Sequence, residues 1–419
     1  MDRTIFKNAN LLDGESPARA NQTLVIEGNR IVSANGAPAE DRPGDRIYDL
    51  AGRTLMPGMV TTHFHSSYRD ANPYAPPLGY EGPPAYLTLV AAENCETALL
   101  SGFTSAVGAS CAHDIDASLK QAIDEGMIPG PRLIPSSRDL ISTGDSNDTA
   151  RPWWWGLEHP DGLYGGIRIC DGPDEFRKAV RDEIKRGAEM IKLYPTGGHG
   201  VTLPKDFVSI DHEELVAAVD AAHQRGARIR GHSVSKRSIL ECVRAGMDII
   251  DHADEMDAEC IEAFVTADCT VVPSVYLGLF ILESSEQTGE SLGFTEQLQR
   301  EFEYTCGMLA EADAAGVRLV VGDDYGAAGF PHGDYAKELA VYVKHANMAP
   351  LDVLRWATKN GAALMGLGDE LGTLAPGKLA DLLVVDGDPS QDIGLLQDRS
   401  KLLAIMKDGR FAKNDLLAS

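Results

Sequence analysis

The sequence predicts an α/β architecture, a TIM-type (β/α)8 barrel carrying a small β-sandwich built from both chain ends. Three observations lead there. A helix–Gly–strand unit repeats along the middle of the chain, short hairpin signals stand at both termini, and residue types that bind metals fall at the ends of the repeated strands. Strands alternating with helices specify a parallel sheet, and an eight-stranded barrel places its chemistry at the strand C-termini.

At the ends, residues 23–27 and 30–33 flank Gly28-Asn29, while 402–407 and 410–412 flank Asp408-Gly409, each a two-residue hairpin signal. Residues 381–386 read as a further strand. Residues 1–56 with 372–419 are therefore expected to form one composite sandwich, and 57–371 a barrel inserted between them.

Inside that insertion the clearest unit starts at Asp211, which can cap a helix with Glu214 as its capping-box partner. Leu215, Val216, Val219 and Ala222 give the helix an apolar face, and Gly226 suits a left-handed position before strand 227–230. The order recurs with Gly102 before 103–107, Gly187 before 189–194, Gly246 before 247–250 and Gly316 before 317–321. The strand leading to His63, with 132–136 and 269–272, completes eight. An open doubly wound sheet is the competing architecture, but no Gly-x-Gly-x-x-Gly turn follows an early strand.

A formal charge of −25 repels nucleic acid and anionic membranes, so a small molecule is the expected partner. No apolar run is long enough to span a bilayer, and the first residues do not read as a secretory leader. Seven cysteines without a C-x-x-C pair argue against a disulfide framework or a zinc knuckle. A cytoplasmic enzyme is the expectation.

His63-Phe64-His65 closes the first barrel strand. Alternate residues of a strand share a face, so both imidazoles can reach one ion. Lys192, His232, His252 and Asp324 stand at corresponding places on strands 4, 5, 6 and 8. Singly, each has a bland reading: a hydrogen-bonded structural histidine, a lysine reaching solvent, a helix-capping aspartate. Six converging on one barrel mouth point to metal instead. Four imidazoles and a carboxylate suit zinc better than magnesium or calcium. An ammonium cannot ligate, but a lysine deprotonated in an apolar, cation-rich pocket can react with carbon dioxide. The resulting carbamate can bridge two ions.

The motifs carry a resemblance. They are Leu55-Met56-Pro57-Gly58 before His63-Phe64-His65, then Ile191-Lys192-Leu193-Tyr194-Pro195-Thr196-Gly197-Gly198, then Ala245-Gly246-Met247-Asp248 before Asp251-His252. Gly322-Asp323-Asp324 with Pro331-His332-Gly333, and the tail from Gly372 to Asp381, add to them. Over nearly its whole length the chain resembles the amidohydrolase superfamily, in its imidazolonepropionase-related, prolidase-like branch. The resemblance implies two divalent ions, zinc first among them. His63 and His65 would hold the more buried ion, His232 and His252 the more exposed one, and a carbamate on Lys192 would bridge them. Asp324 would ligate the first ion and act as general base, because the family's Gly-Thr-Asp places Asp323 at the threonine.

The implied reaction is cleavage of an amide C–N bond by a metal-bound hydroxide, in N-acyl amino acids or dipeptide-like substrates, ochratoxin-like amides included. A urea or carbamate hydrolase is the alternative, as is an esterase or lactonase on the same site. A catalytically silent binding module is the alternative of another class. Relatives commonly assemble, so a homo-oligomer is expected. Tyr68, Arg69, Tyr194, His199 and His332 lie in motif loops and are candidate substrate contacts, with Trp153-Trp154-Trp155 a candidate aromatic wall. Two departures from the family pattern bear on those contacts: Thr143-Gly144-Asp145-Ser146-Asn147 replaces Thr-Gly-Gly-His-Gly, and Val234 replaces the second His of a His-x-His.

Overall fold

The computed structural model describes residues 3–34, 40, 42–71, 82–148, 165–199, 201, 203–288 and 292–417. Trp153-Trp154-Trp155 lie outside the described residues.

The chain ends meet in one eight-stranded sheet. Its seam is the strand Thr54–Pro57, which pairs in parallel with Arg3–Leu11 and antiparallel with Leu382–Val385. Leu55, Phe6, Leu24, Leu382, Val384 and Met406 pack into a core of their own beneath it. The two predicted hairpins, Arg19–Glu27 with Arg30–Ser33 and Leu402–Lys407 with Arg410–Asn414, are present. Their tips touch: a Cβ on Gly409 would sit 2.3 Å from the Gly28 carbonyl oxygen, so only glycine allows the approach.

The middle of the chain is parallel throughout. Met59–Phe64, Phe103–Gly108 and Arg132–Ile134 make a three-stranded sheet. Ser136–Ile141, Met190–Leu193, Arg228–Ser233, Ile249–His252, Thr270–Val272 and Arg318–Leu319 run side by side in a second, with Ile167–Ile169 added at its edge. The two sheets meet on both sides. On one, a single extended run passes from the first to the second at Pro135, which has no N–H to give the ladder. On the other, the Thr62 backbone N–H donates to the Val321 carbonyl at 2.8 Å. Strand 132–136 is therefore longer than the sequence suggested, continuing to Ile141, and Ile167–Ile169 was not anticipated.

Local chemistry explains the repeats. Asp211 and Glu214 form the reciprocal capping box at the start of His212–His223. The glycines at 102, 187, 226, 246 and 316 all have positive φ, between 74° and 105°, and turn each helix into its following strand. Val60, Val107, Met190, Ile249, Val272 and Val320, each from a different strand or its immediate extension, pack together as an apolar plug. That plug leaves the strand C-termini free to carry polar groups. All seven cysteines are buried free thiols, and among the described residues no helix is long and apolar enough to cross a membrane.

Candidate metal centre

His63, His65, Lys192, His232 and His252 all lie at strand C-termini, and none is more than 2% exposed. Two of them converge with Asp324. His63 Nε2 lies 3.1 Å from His65 Nε2, and Asp324 Oδ1 lies 3.0 Å from the first and 3.1 Å from the second. On its far side the His65 ring is set by the Ser110 hydroxyl, 3.0 Å from Nδ1. Burial pushes His65 down to about 4 against the pull of Asp324, so its ring is neutral at ordinary pH. Asp324 goes the other way. Burial opposes its charge, yet the imidazoles of His63 and His65 hold it well below the usual carboxylate range. The neighbouring Asp323 faces elsewhere, accepting the Leu277 backbone N–H at 3.0 Å.

Below this trio lies a fully buried charge network that sequence reasoning missed. Lys192 Nζ donates to Asp251 Oδ2 at 2.7 Å, and Arg230 donates to both oxygens of the same carboxylate. Arg230 also donates to the carbonyls of Thr62 at 2.7 Å and Gly108 at 3.0 Å, and its other nitrogen lies 3.3 Å from His63 Nδ1. The arginine thus ties three strands to the first histidine. Against the cost of burial, Arg230 and Lys192 hold Asp251 well below its ordinary range. One signal was available: Arg230 lies two residues before His232, on the same face of the strand.

Asp251 shares the inward face of Ile249, and His252 is the residue that breaks the alternation. Asp251 and His252 both face inward because His252, at φ 75°, and Ala253, at φ 54°, take left-handed backbone that reverses the pleat. A histidine held there stores strain of roughly 1–2 kcal/mol, which the surrounding packing must outweigh.

A second cluster surrounds His252. Its donor atoms come within 4.8 Å of those of His199 and Asp324. The His199 ring stacks on it at 3.8 Å, and His232 meets it edge-on at 4.4 Å. Burial, then Lys192 and His199, push His232 down to about 3, and burial with the adjacent histidines takes His252 well below the imidazole range. His232 Nε2 lies 3.1 Å from the Gly198 carbonyl. His199 is different: burial works against its charge, but Asp254, 3.0 Å from Nδ1, outweighs that and raises it to about 9.

The other candidate contacts separate by position. Tyr68 stacks flat on His65 at 4.2 Å, and Tyr194 on His232 at 4.8 Å with Lys192 Nζ 5.0 Å above its ring. Both therefore wall the centre. Arg69 turns outward to pair with Glu93, and His332 Nδ1 bonds the Tyr335 hydroxyl at 2.8 Å, behind Phe64.

These groups suit metal. With bonds of about 2.0–2.1 Å, octahedral and tetrahedral shells set neighbouring donors roughly 2.8–3.4 Å apart. The separations among His63, His65 and Asp324 fall in that range. His252 Nδ1, buried and without a hydrogen-bond partner among the described residues, is the kind of orphaned nitrogen a ligand satisfies. Nitrogen-rich donors select zinc-like ions over magnesium.

Comparisons with known proteins give the chain its relatives. The amidohydrolase family model matches residues 54–412. The chain is 27% identical to an ochratoxinase of Aspergillus niger over 98% of its own length and 86% of that protein's. Among solved structures, a prolidase complexed with N-methylphosphonate-L-proline superposes with a TM-score of 0.87 at 27% identity, covering 98% of this chain and 100% of the other. A Xaa-Pro dipeptidase with methionine bound in its active site gives 0.86 at 26%, covering 99% and 100%.

Proposed function

The chain belongs to the amidohydrolase family and is a hydrolase acting on carbon–nitrogen bonds; we propose that it cleaves the amide of an N-acyl amino acid or dipeptide-like substrate at a centre of two divalent ions. The observation that carries this reading is the convergence of His63 Nε2, His65 Nε2 and Asp324 Oδ1 within 3.1 Å of one another. The supporting architecture, in this reading, is a closed (β/α)8 barrel over residues 57–371, with 1–56 and 372–419 as its accessory domain. The Thr62–Val321 bond and the run shared across Pro135 support closure.

His63 and His65 would hold one ion, His232 and His252 the other, with Lys192 as a carbamate between them. The amine reaches that state by adding carbon dioxide and releasing a proton, and complete burial keeps competing water from it. Bound ions supply Lewis-acid polarisation of the scissile carbonyl and make water a nucleophile at neutral pH. Asp324, with a side chain 21% exposed, faces the mouth and takes the proton of the attacking water. It returns that proton to the leaving nitrogen, so the amine departs neutral. Tyr68 and Tyr194 hold the imidazoles they stack on and narrow access for bulk water. The named relatives, an ochratoxinase and a prolidase among them, support an amide substrate with an amino-acid portion.

Mass-spectrometric product identification tests this. Metal-loaded protein is given N-acyl amino acids, dipeptides, ochratoxin A, phenylureas and aryl carbamates, beside a chelated control. Release of a free amino acid, abolished by chelation, is expected. Turnover confined to ureas and carbamates, giving an aniline or phenol with carbon dioxide, would overturn the amide reading.

A further inference from the structure

Beside the metal centre, the helices Val275–Thr288 and Leu292–Ala315 flank a half-open cavity of about 110 Å³. Its polar wall belongs to the site: His199, which stacks on His252 at 3.8 Å, and Asp254, which holds His199. The remaining walls are largely apolar, set by Leu277, Ile281, Leu298 and Phe302. Leu277 is anchored directly to the centre, its backbone N–H donating to Asp323 beside Asp324. An apolar space of this kind, opening beside reacting groups, is where a substrate's hydrocarbon part goes.

We propose that this cavity is the subsite for one aliphatic side chain of the amide substrate, and that Gly278 sets its depth; the assignment rests on the amide-hydrolase reading. Gly278 lies in the wall, within Val275–Thr288, where a longer side chain would fill the space. A Cβ added there meets nothing closer than Phe302 Cδ2 at 3.9 Å, so the helix accepts a side chain and its branches enter the cavity. Size fixes the class. Apolar cavities of about 150 Å³ accept benzene, and this one, at about 110 Å³, suits a branched aliphatic group rather than a phenyl ring. Charge narrows it further. Asp254 and Glu301 in the wall already engage His199 and Lys205, so a substrate carboxylate would be desolvated there beside cations whose charge is spent on those pairs. Leucine-like side chains are taken; aspartyl and glutamyl ones are refused.

The test compares kcat/KM for two series, N-acetyl-X and X-glycine, with X as Gly, Leu, Phe or Asp, in wild type, Gly278→Leu and Ile281→Ala. In one series the wild-type Leu/Gly ratio is expected to be at least about tenfold, with Phe and Asp below Leu. Gly278→Leu should collapse that ratio by about tenfold, and Ile281→Ala should raise Phe relative to Leu by enlarging the space. A Leu/Gly ratio unchanged within about twofold by both substitutions, or no leucine preference in either series, overturns the subsite. Should no amide be cleaved, the amide-hydrolase reading fails. The cavity is then judged by calorimetric binding of leucine amide against glycine amide to wild type and Ile281→Ala. Preferential binding of leucine amide, weakened in the variant, upholds it, and equal binding overturns it.

Discussion

Lys192 concentrates the chemistry of the centre in one side chain. It is fully buried, its ammonium is matched by Asp251, and its strand neighbours Ile191 and Leu193 are apolar. An amine so placed needs a counter-charge or a second fate, and the proposed carbamate would provide the latter. Replacing it with alanine leaves Arg230 and Asp251 to neutralise each other, so the fold has no orphaned buried charge to expel. Lys192→Ala is therefore expected to fold, with far-ultraviolet dichroism like wild type, and to lose amide hydrolysis by roughly 10³-fold or more, as removal of a group that assembles the reacting centre does. Added acetate or propionate should restore part of the rate by supplying a carboxylate to the vacated space. A variant that keeps a near-wild-type kcat sinks the bridging role.

Elements place these residues through contacts of very unequal strictness, and two glycines show the difference. A Cβ on Gly226, at φ 74°, meets nothing within 4 Å, so Gly226→Ala bears only the left-handed backbone cost, about 1 kcal/mol. Gly322 precedes Asp323-Asp324, and a Cβ there would lie 2.3 Å from the His63 backbone nitrogen. Gly322→Ala must push strand Met59–Phe64 away from the Asp324 segment, and bound metal per chain, read by elemental analysis, should fall while Gly226→Ala retains the wild-type value. The same contrast explains what was legible. Helix ends, glycines and the hairpin tips are decided by neighbours in sequence, so Asp211, Gly226 and Asp408-Gly409 announced themselves. Strand-end histidines were legible because period-two alternation is local too. The strand read at 132–136 continues to Ile141 through Ser136-Ser137-Arg138-Asp139, polar residues whose place in a strand is set by pairing with Met190–Leu193 rather than by their own pattern. Asp251 was passed over because two successive inward residues require the left-handed turn at His252, which only tertiary packing enforces. The pocket around Gly278 needs two helices to meet, and no stretch of sequence encodes that meeting.

At the scale of the whole molecule, acidity governs how stability varies with pH. The chain carries a formal charge of −25, so self-repulsion grows with every carboxylate that ionises. Asp116 adds a buried contribution. Burial pushes it up to about 7 even though the Ser66 hydroxyl and the Ser136 backbone N–H both donate to it. A carboxyl raised from 3.8 to about 7 on folding gives stability that is full below 3.8 and lost as pH rises through 7. The histidines depressed to about 3 or 4, His65, His232 and His332, act oppositely, their contribution completing as pH rises past 6.5, while Asp139 at about 7, Glu338 at about 8 and His199 at about 9 act in the same direction as Asp116. Between pH 6.5 and 8 those other groups act alike on wild type and on an Asp116 variant, and wild type alone should lose on the order of 1 kcal/mol through Asp116. Salt separates the two contributions, since about 0.5 M screens the exposed charges and leaves a buried group unscreened. Asp116→Asn mimics the neutral acid, its amide donating toward Ser66 and its oxygen accepting from Ser136. Melting temperatures taken from pH 6.5 to 8 in high salt should drop further for wild type than for Asp116→Asn. Parallel slopes for the two proteins would show that Asp116 ionises in the fold as freely as in the unfolded chain, and that the pH dependence belongs to other groups.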